Sequence, residues 1–146
     1  RKSFKQFIQQ LVELDSDRHF YNCLWKNYSG FVRSLIENRF VFSPFWGSHY
    51  AGNHDWEDSY ERSKKAAFNA LANERVSVLL EIVLDRLYVL RNQLMHGGAT
   101  YQSQVNRSQV KDGCRMMTEL LPVIITIMMQ HADKGWGQIY YPVIKD

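Results

Sequence analysis

The sequence ERVSVLLEIVLDRLYVLRNQLMHGG, at residues 74–98, decides the fold. At about 100° per residue, its apolar side chains form one stripe with alternating four- and three-residue steps, as in a helix that faces a core. Gly97 and Gly98 then favour the left-handed backbone that ends a helix. A long helix is therefore predicted over 74–97. Its core stripe is Val76, Leu80, Val83, Leu87, Leu90 and Leu94.

The opposite side of this helix mixes polar and apolar residues. A surface helix normally leaves one face to solvent, so the mixture predicts contacts on both sides. Arg91 lies on the flank, and His96 falls in the predicted last turn, where the helix dipole favours the imidazolium form. The polar stripe is Glu81, Asp85, Asn92 and His96, with Val78, Ile82 and Val89 beside it.

The same periodicity predicts four more helices, at 4–14, 18–40, 55–72 and 106–131. Asn106 and Gln109 have the spacing of a capping box for the last of these. Pro122 is expected to kink it, and Cys23 and Cys114 are predicted to be buried free thiols. The core stripe predicted for the last helix is Val110, Cys114, Met117, Leu121, Ile124 and Met128.

Two segments lack helical periodicity. Residues 41–53 combine Pro44, Gly47 and Gly52 with aromatic residues, which predicts a long loop. Its aromatic side chains either stack on RNA bases or fill a core edge or a dimer contact, and the second interpretation is favoured. Residues 135–146 are predicted to form an extended tail. Five helices without strands predict one all-α domain over 1–146, an up-and-down bundle.

Bulk properties narrow the possible functions. The net charge of +3 permits an anionic partner such as RNA without requiring one. The first ten residues have no apolar signal-peptide core, and the longest apolar run, 120–129, is half the roughly 20 residues that span a bilayer. A cytoplasmic protein without membrane contact is predicted. No phosphate-binding glycine loop is present, and His49, His54, Asp55 and Glu57 fit no closed zinc pattern, so neither a cofactor nor a metal is expected.

The residues best suited to catalysis lie at the end of the long helix predicted over 74–97. The guanidinium of Arg91 can hold a phosphate at two points, and His96 can exchange a proton near pH 7. Asn92 is four residues before His96 and shares its face. In the simpler alternative, His96 caps the helix end and Arg91 pairs with Glu81 or Asp85.

The run RNQLMHGGATY at 91–101, followed by VNRSQVKDG at 105–113, resembles HEPN domains. These are all-helical domains with an R-x4-6-H motif at the end of a long helix, and the similarity is to a bacterial branch of the family. The resemblance is strongest over 74–131. It implies a metal-independent endoribonuclease that acts as a homodimer with a composite site and leaves 2′,3′-cyclic phosphate ends. It further implies a toxin–antitoxin or antiviral setting, with a possible antitoxin or regulatory protein as partner.

The resemblance assigns roles to three residues. Arg91 binds the phosphate, His96 is the general acid/base, and Asn92 orients the pair or contacts the substrate. Two further groups of residues are weaker candidates for the site, because of their positions on the predicted helices. Glu81, Asp85 and Tyr88 are candidates for orienting Arg91 or His96, whereas Arg107, Lys111 and Arg115 guide RNA or form a solvated face.

Two other functions remain open at this point. The first is a non-catalytic HEPN module that binds RNA, a nucleotide or a protein partner. The second is a helical interaction domain that docks through the aromatic residues Phe42 to Trp46.

Overall fold

A computed structural model describes residues 3–95 and 103–136, except for the side chains of residues 46, 49, 50, 94, 95 and 103–106. Over these ranges the chain is all-helical, as predicted. A π-helix occupies Asn22–Asn27, and short 3₁₀ turns occupy Arg39–Val41 and Ala132–Lys134. The α-helices are α1 (Phe4–Leu14), α2 (His19–Tyr21), α3 (Ser29–Glu37), α4 (Ser43–Ala51), α5 (Trp56–Ala72), α6 (Val76–Met95) and α7 (Ser103–Gln130).

The long helix predicted from the sequence is α6, and it lies at the centre of the fold. It packs against α1, α2, α3, α5, α7 and the 3₁₀ turn at Arg39–Val41. Leu80, Val83 and Leu90 of the predicted stripe are buried, while Val76 and Leu87 are half-buried. The buried side is wider than predicted, because α6 has neighbours on several sides. It also includes Leu79, Arg86, Val89 and Gln93.

Local signals fix two helix boundaries. Ser3 and Gln6 form a capping box at the start of α1, in which each side chain bonds the other's backbone N–H. Between α5 and α6, Glu74 takes a left-handed conformation with φ of 53°. The N–H of Arg75 then donates to the carbonyl of Ala70 over 2.9 Å, which ends α5 in a Schellman-type turn.

The helix predicted over 18–40 is not continuous, so the prediction of five helices is wrong. The π-helix interrupts it, and the Tyr28 N–H donates to the Cys23 carbonyl five residues earlier over 2.9 Å. Tyr28 then leaves helical geometry, with φ of −129°, before α3 begins. The interruption therefore separates α2 from α3.

The long loop predicted over 41–53 is also wrong, because α4 occupies Ser43–Ala51. Pro44 lies in the first turn of α4, where its missing N–H costs nothing. Gly52 has φ of 74° and lies directly after the last residue, where a left-handed glycine ends a helix. The residues that predicted a loop are thus the start and stop signals of a short helix.

The last helix is longer than predicted and rotated. It begins at Ser103, so Asn106 lies inside it, and the Gln109 side chain accepts from Asn38 Nδ2 over 2.7 Å rather than capping. Gly113 is buried against α6, where an added Cβ would lie 3.2 Å from Leu87 Cδ2. The predicted core stripe is displaced by one position from the real one. The buried residues are Gln109, Gly113, Met116, Leu120 and Ile127.

The predictions for the two cysteines, Pro122, the tail and membrane spans have different outcomes. Cys23 is buried as predicted, but Cys114 is exposed, because it belongs to the displaced stripe. Pro122 lies inside α7. The predicted tail lies outside the described residues from residue 137 onward. None of the described helices has the length and apolarity needed to cross a bilayer.

Candidate functional site

Arg91 lies one turn before the last described residue of α6, with its side chain exposed to solvent. Its Nη1 donates to Asn92 Oδ1 over 3.2 Å. Among the described residues no ion pair joins Arg91 to a carboxylate, so the alternative in which Arg91 pairs with Glu81 or Asp85 is not seen there. The guanidinium is held in place by a neutral amide, and its other N–H groups remain available to an anion.

Asn92 is half-buried and follows Arg91 directly. Adjacent helical residues point about 100° apart, so the two side chains meet by bending towards each other across the exposed side of α6. The hydrogen bond therefore holds the Asn92 amide against the Arg91 guanidinium. His96, the third predicted catalytic residue, lies outside the described residues, as do Gly97 and Gly98. The described part of α6 ends at Met95, the residue before His96.

The three residues predicted to orient the site are spread over the exposed side of α6. Tyr88 is 60% exposed, one turn before Arg91. Glu81 is half-buried and Asp85 is exposed. Asp85 Oδ2 lies 3.9 Å from Arg86 Nη1, so this carboxylate faces its sequence neighbour rather than Arg91. Among the described residues, neither carboxylate forms an ion pair with Arg91.

Arg107, Lys111 and Arg115 are all exposed on the first half of α7. Their four-residue steps place them along one edge of the helix. No ion pair neutralises them among the described residues. The row is thus a cationic edge of the molecule, in agreement with either a solvated face or an electrostatic guide for an anionic polymer.

A buried polar pair on α6 was missed by sequence reasoning. The side chain of Arg86 is 2% exposed, donates from Nη2 to Ser63 Oγ over 2.7 Å, and lies 4.7 Å from the ring centroid of Phe42. Burial lowers the pKa of its guanidinium, while Asp85 opposes that shift. Two turns later, seven residues along α6, the buried Gln93 donates from Nε2 to the carbonyl of Phe40. Residues seven apart lie on the same face of a helix, and this face of α6 is otherwise apolar. The spacing of Arg86 and Gln93 could therefore have indicated that both are buried.

This pair positions the candidate site. Arg86 ties α6 to α5, and Gln93 ties the end of α6 to the 3₁₀ turn. Arg91 lies between the two anchors in sequence. Because α6 is held on both sides of Arg91, the guanidinium is presented from a rigid element rather than from a loop.

The described aromatic residues of 40–60 fill a core edge, as the favoured interpretation predicted. The rings of Phe45 and Trp56 pack edge to face with centroids 4.9 Å apart, and those of Phe42 and Tyr60 are 5.3 Å apart. Tyr60 also donates its hydroxyl to the carbonyl of Ile36 over 3.2 Å. Phe42 is buried and Phe45 half-buried, which argues against a docking surface built on Phe42 to Trp46.

The weak metal interpretations are explained by other contacts. His54 lies 3.6 Å from Glu57, one turn along the chain, and both side chains are mostly exposed. His19 and Cys23 are four residues apart and could offer two metal ligands, but His19 Nδ1 lies 3.2 Å from Asp15 Oδ1, whereas Cys23 is buried. Over the described ranges, no group of three or more histidine, cysteine or acidic side chains could hold a metal ion.

The chain was compared with known proteins by sequence and by structure. No family model, no curated protein and no solved structure matches it.

Proposed function

We propose that this protein is a metal-independent endoribonuclease of the HEPN type. It acts as a homodimer whose composite site combines Arg91, Asn92 and His96 of both copies. The observation that carries the proposal is the state of Arg91. Its guanidinium is exposed on a rigid helix, aligned by Asn92 and without a carboxylate partner among the described residues. Such a guanidinium is suited to bind a phosphate at two points.

The proposed reaction needs two proton transfers. The 2′-hydroxyl of RNA gives its proton to a neutral His96, and its oxygen attacks the adjacent phosphorus. The bond from phosphorus to the 5′-oxygen breaks, and the protonated His96 of the second copy gives a proton to that oxygen. Arg91 binds the non-bridging oxygens and stabilises the negative charge that builds on them. The products are a 2′,3′-cyclic phosphate and a 5′-hydroxyl end.

The resemblance extends the proposal to the biological setting. HEPN nucleases commonly serve in toxin–antitoxin or antiviral systems, so we include a cytoplasmic location and an antitoxin or regulatory protein among the proposed partners. The cationic edge formed by Arg107, Lys111 and Arg115 supports an RNA substrate, since a basic row attracts the phosphate backbone without reading sequence.

The test is RNA cleavage by the purified protein in EDTA, with chemical analysis of the product ends. Wild type is compared with His96→Ala and Arg91→Ala. His54→Ala and Arg62→Ala serve as matched controls, because both side chains are exposed and remote from α6 in the sequence. We expect cyclic phosphate ends from wild type and both controls, and at least a hundredfold less product from the two site variants.

Equal cleavage by wild type and by a folded His96→Ala protein would refute the assignment. If RNA binding is retained while no variant differs in cleavage, the non-catalytic HEPN module is the better description. Circular dichroism of each variant separates these outcomes from loss of fold.

A further inference from the structure

The surface beside the candidate site carries an apolar groove and an apolar ridge. The groove has a volume of about 460 Å³ and lies where α1, α6 and α7 meet. Apart from Asp85, its lining is apolar. The α7 ridge is formed by Leu121, Ile125 and Met129, which are 46%, 51% and 74% exposed. The groove is lined by Phe4, Phe7, Ile8, Leu84, Tyr88 and Ile124.

The ridge and the groove form one continuous surface. Ile124 lines the groove, and Leu121 of the ridge lies one turn before it on α7, so these two side chains are neighbours on the helix surface. Phe4 and Tyr88, on the groove walls, are themselves 52% and 60% exposed. The exposed apolar side chains therefore extend from α1 across α6 to α7 without a charged residue of α7 between them.

The extent of this surface matches one side of a dimer interface. Its five exposed side chains leave on the order of 500 Å² open, near the upper end for the largest apolar patch of a monomer, roughly 300–600 Å². A stable interface buries roughly 800 Å² on each partner, of which roughly 60% is apolar. The apolar area exposed here is therefore close to the apolar area that each partner of a stable interface buries.

We infer that this surface binds a second copy of the same chain, with the α7 ridge of each copy in the groove of the other. A two-fold interface must be self-complementary, because the same patch is presented by both partners. A surface with a ridge beside a groove of the same apolar character meets that condition. A groove alone would fit many amphipathic partners equally well.

The inference deepens the proposed function and rests on it in one respect, namely that the interface serves catalysis. Tyr88 forms a wall of the groove and lies one turn before Arg91 on α6. Pairing through the groove therefore places Arg91 of both copies at the margin of the same interface. The composite site then has a defined location, next to the α6 part of the contact.

The test is the oligomeric state of the full chain, measured by sedimentation equilibrium from 1 to about 100 µM. Variants are Leu121→Glu and Ile125→Glu, with Ser108→Glu as a control that adds the same charge to an exposed position on another edge of α7. Both ridge residues are exposed, so the folded monomer should tolerate them. We expect a dimer for wild type and control, and a dissociation constant raised at least a hundredfold for each ridge variant.

A monomeric wild type at 100 µM, or ridge variants that dimerise like wild type, would overturn the inference. Cleavage in EDTA by the same proteins keeps it separate from the proposed function. Ridge variants that are monomeric and inactive support both. Monomeric variants that still cleave RNA support this interface but refute the composite site.

Discussion

Arg91 and Asn92 are held together by a hydrogen bond of 3.2 Å between adjacent residues of α6. The acceptor is a neutral amide oxygen, so the guanidinium is oriented while its charge meets no carboxylate among the described residues. An aspartate in the same place would orient the guanidinium equally well and also neutralise it. The distinction gives a direct test of what Asn92 does.

Asn92→Asp should reduce RNA cleavage more than Asn92→Ala. The alanine variant loses only orientation, with kcat/KM lower by about tenfold, whereas the aspartate competes with the phosphate and lowers it on the order of a hundredfold. Asn69→Asp, an exposed change on α5, controls for the added negative charge. If the two Asn92 variants cleave equally, Arg91 does not bind the phosphate through the charge that Asn92 leaves free.

Arg86→Ala should destabilise the fold by about 3 kcal/mol, because it leaves a cavity between α5 and α6 and an unpaired Ser63 hydroxyl. Arg86→Met should cost less, about 1 kcal/mol, since a flexible apolar chain fills the space and removes the desolvated charge. Urea unfolding of the three proteins measures the difference. Equal losses for methionine and alanine would mean that the polar contacts of Arg86, and not its volume, stabilise the core.

Glu74→Gly should stabilise the protein relative to Glu74→Ala by about 1 kcal/mol. Both variants lose the hydrogen bond in which the Tyr21 hydroxyl donates to Glu74 Oε1 over 3.0 Å. Glycine alone relieves the left-handed conformation at φ of 53°, which costs about 1 kcal/mol with a Cβ. Thermal unfolding of the pair isolates this difference. Equal stability would show that the turn after α5 is unstrained.

The protein should lose stability as the pH rises above 9. Burial raises the pKa of the Cys23 thiol above its usual value of 9.0, and a hydrogen bond to Glu119 raises it further. The unfolded chain therefore releases this proton first. The free energy of unfolding then falls by up to about 1.4 kcal/mol per pH unit, from pH 9 towards the folded pKa.

Urea unfolding between pH 7 and 10.5 measures this slope. Cys23→Ala should flatten it, because no thiol remains to ionise on unfolding. Cys114→Ala, which removes the exposed thiol, should keep the wild-type slope. A slope that Cys23→Ala leaves intact would assign the alkaline sensitivity to other groups, such as Tyr60, whose pKa burial also raises.

Helix bounds were predicted best where the apolar residues follow a regular helical period. Both ends of α5 and the start of α6 were predicted within two residues, because the apolar spacing of these helices is regular. The segment 41–53 was wrongly predicted as a loop because proline and glycine can either interrupt a helix or mark its ends. Proline at the start and glycine just after the end are compatible with a helix between them. Residue type alone did not reveal that Pro44 begins a helix and Gly52 ends it.

The rotation of α7 was beyond sequence reasoning for a different reason. Its most regular apolar stripe lies on the flank of the buried side, half-buried at most positions, whereas the buried side itself includes Gln109 and Gly113. A glutamine is buried here because Asn38 bonds it, and a glycine because α6 approaches closely. Both causes lie on other helices. In the candidate site, the exposure of Arg91 followed from its flank position, but the anchors Arg86 and Gln93 depend on partners more than twenty residues away.

The contrast between the two thiols gives this protein a built-in labelling position. Cys23 is fully buried with a raised pKa, so a maleimide at neutral pH will modify Cys114 alone. Cys114 lies two turns before Leu121 on the same side of α7. A fluorophore attached there, without any engineered cysteine, lies at the border of the ridge. Its polarisation and self-quenching then report in real time when two wild-type chains meet and when they part.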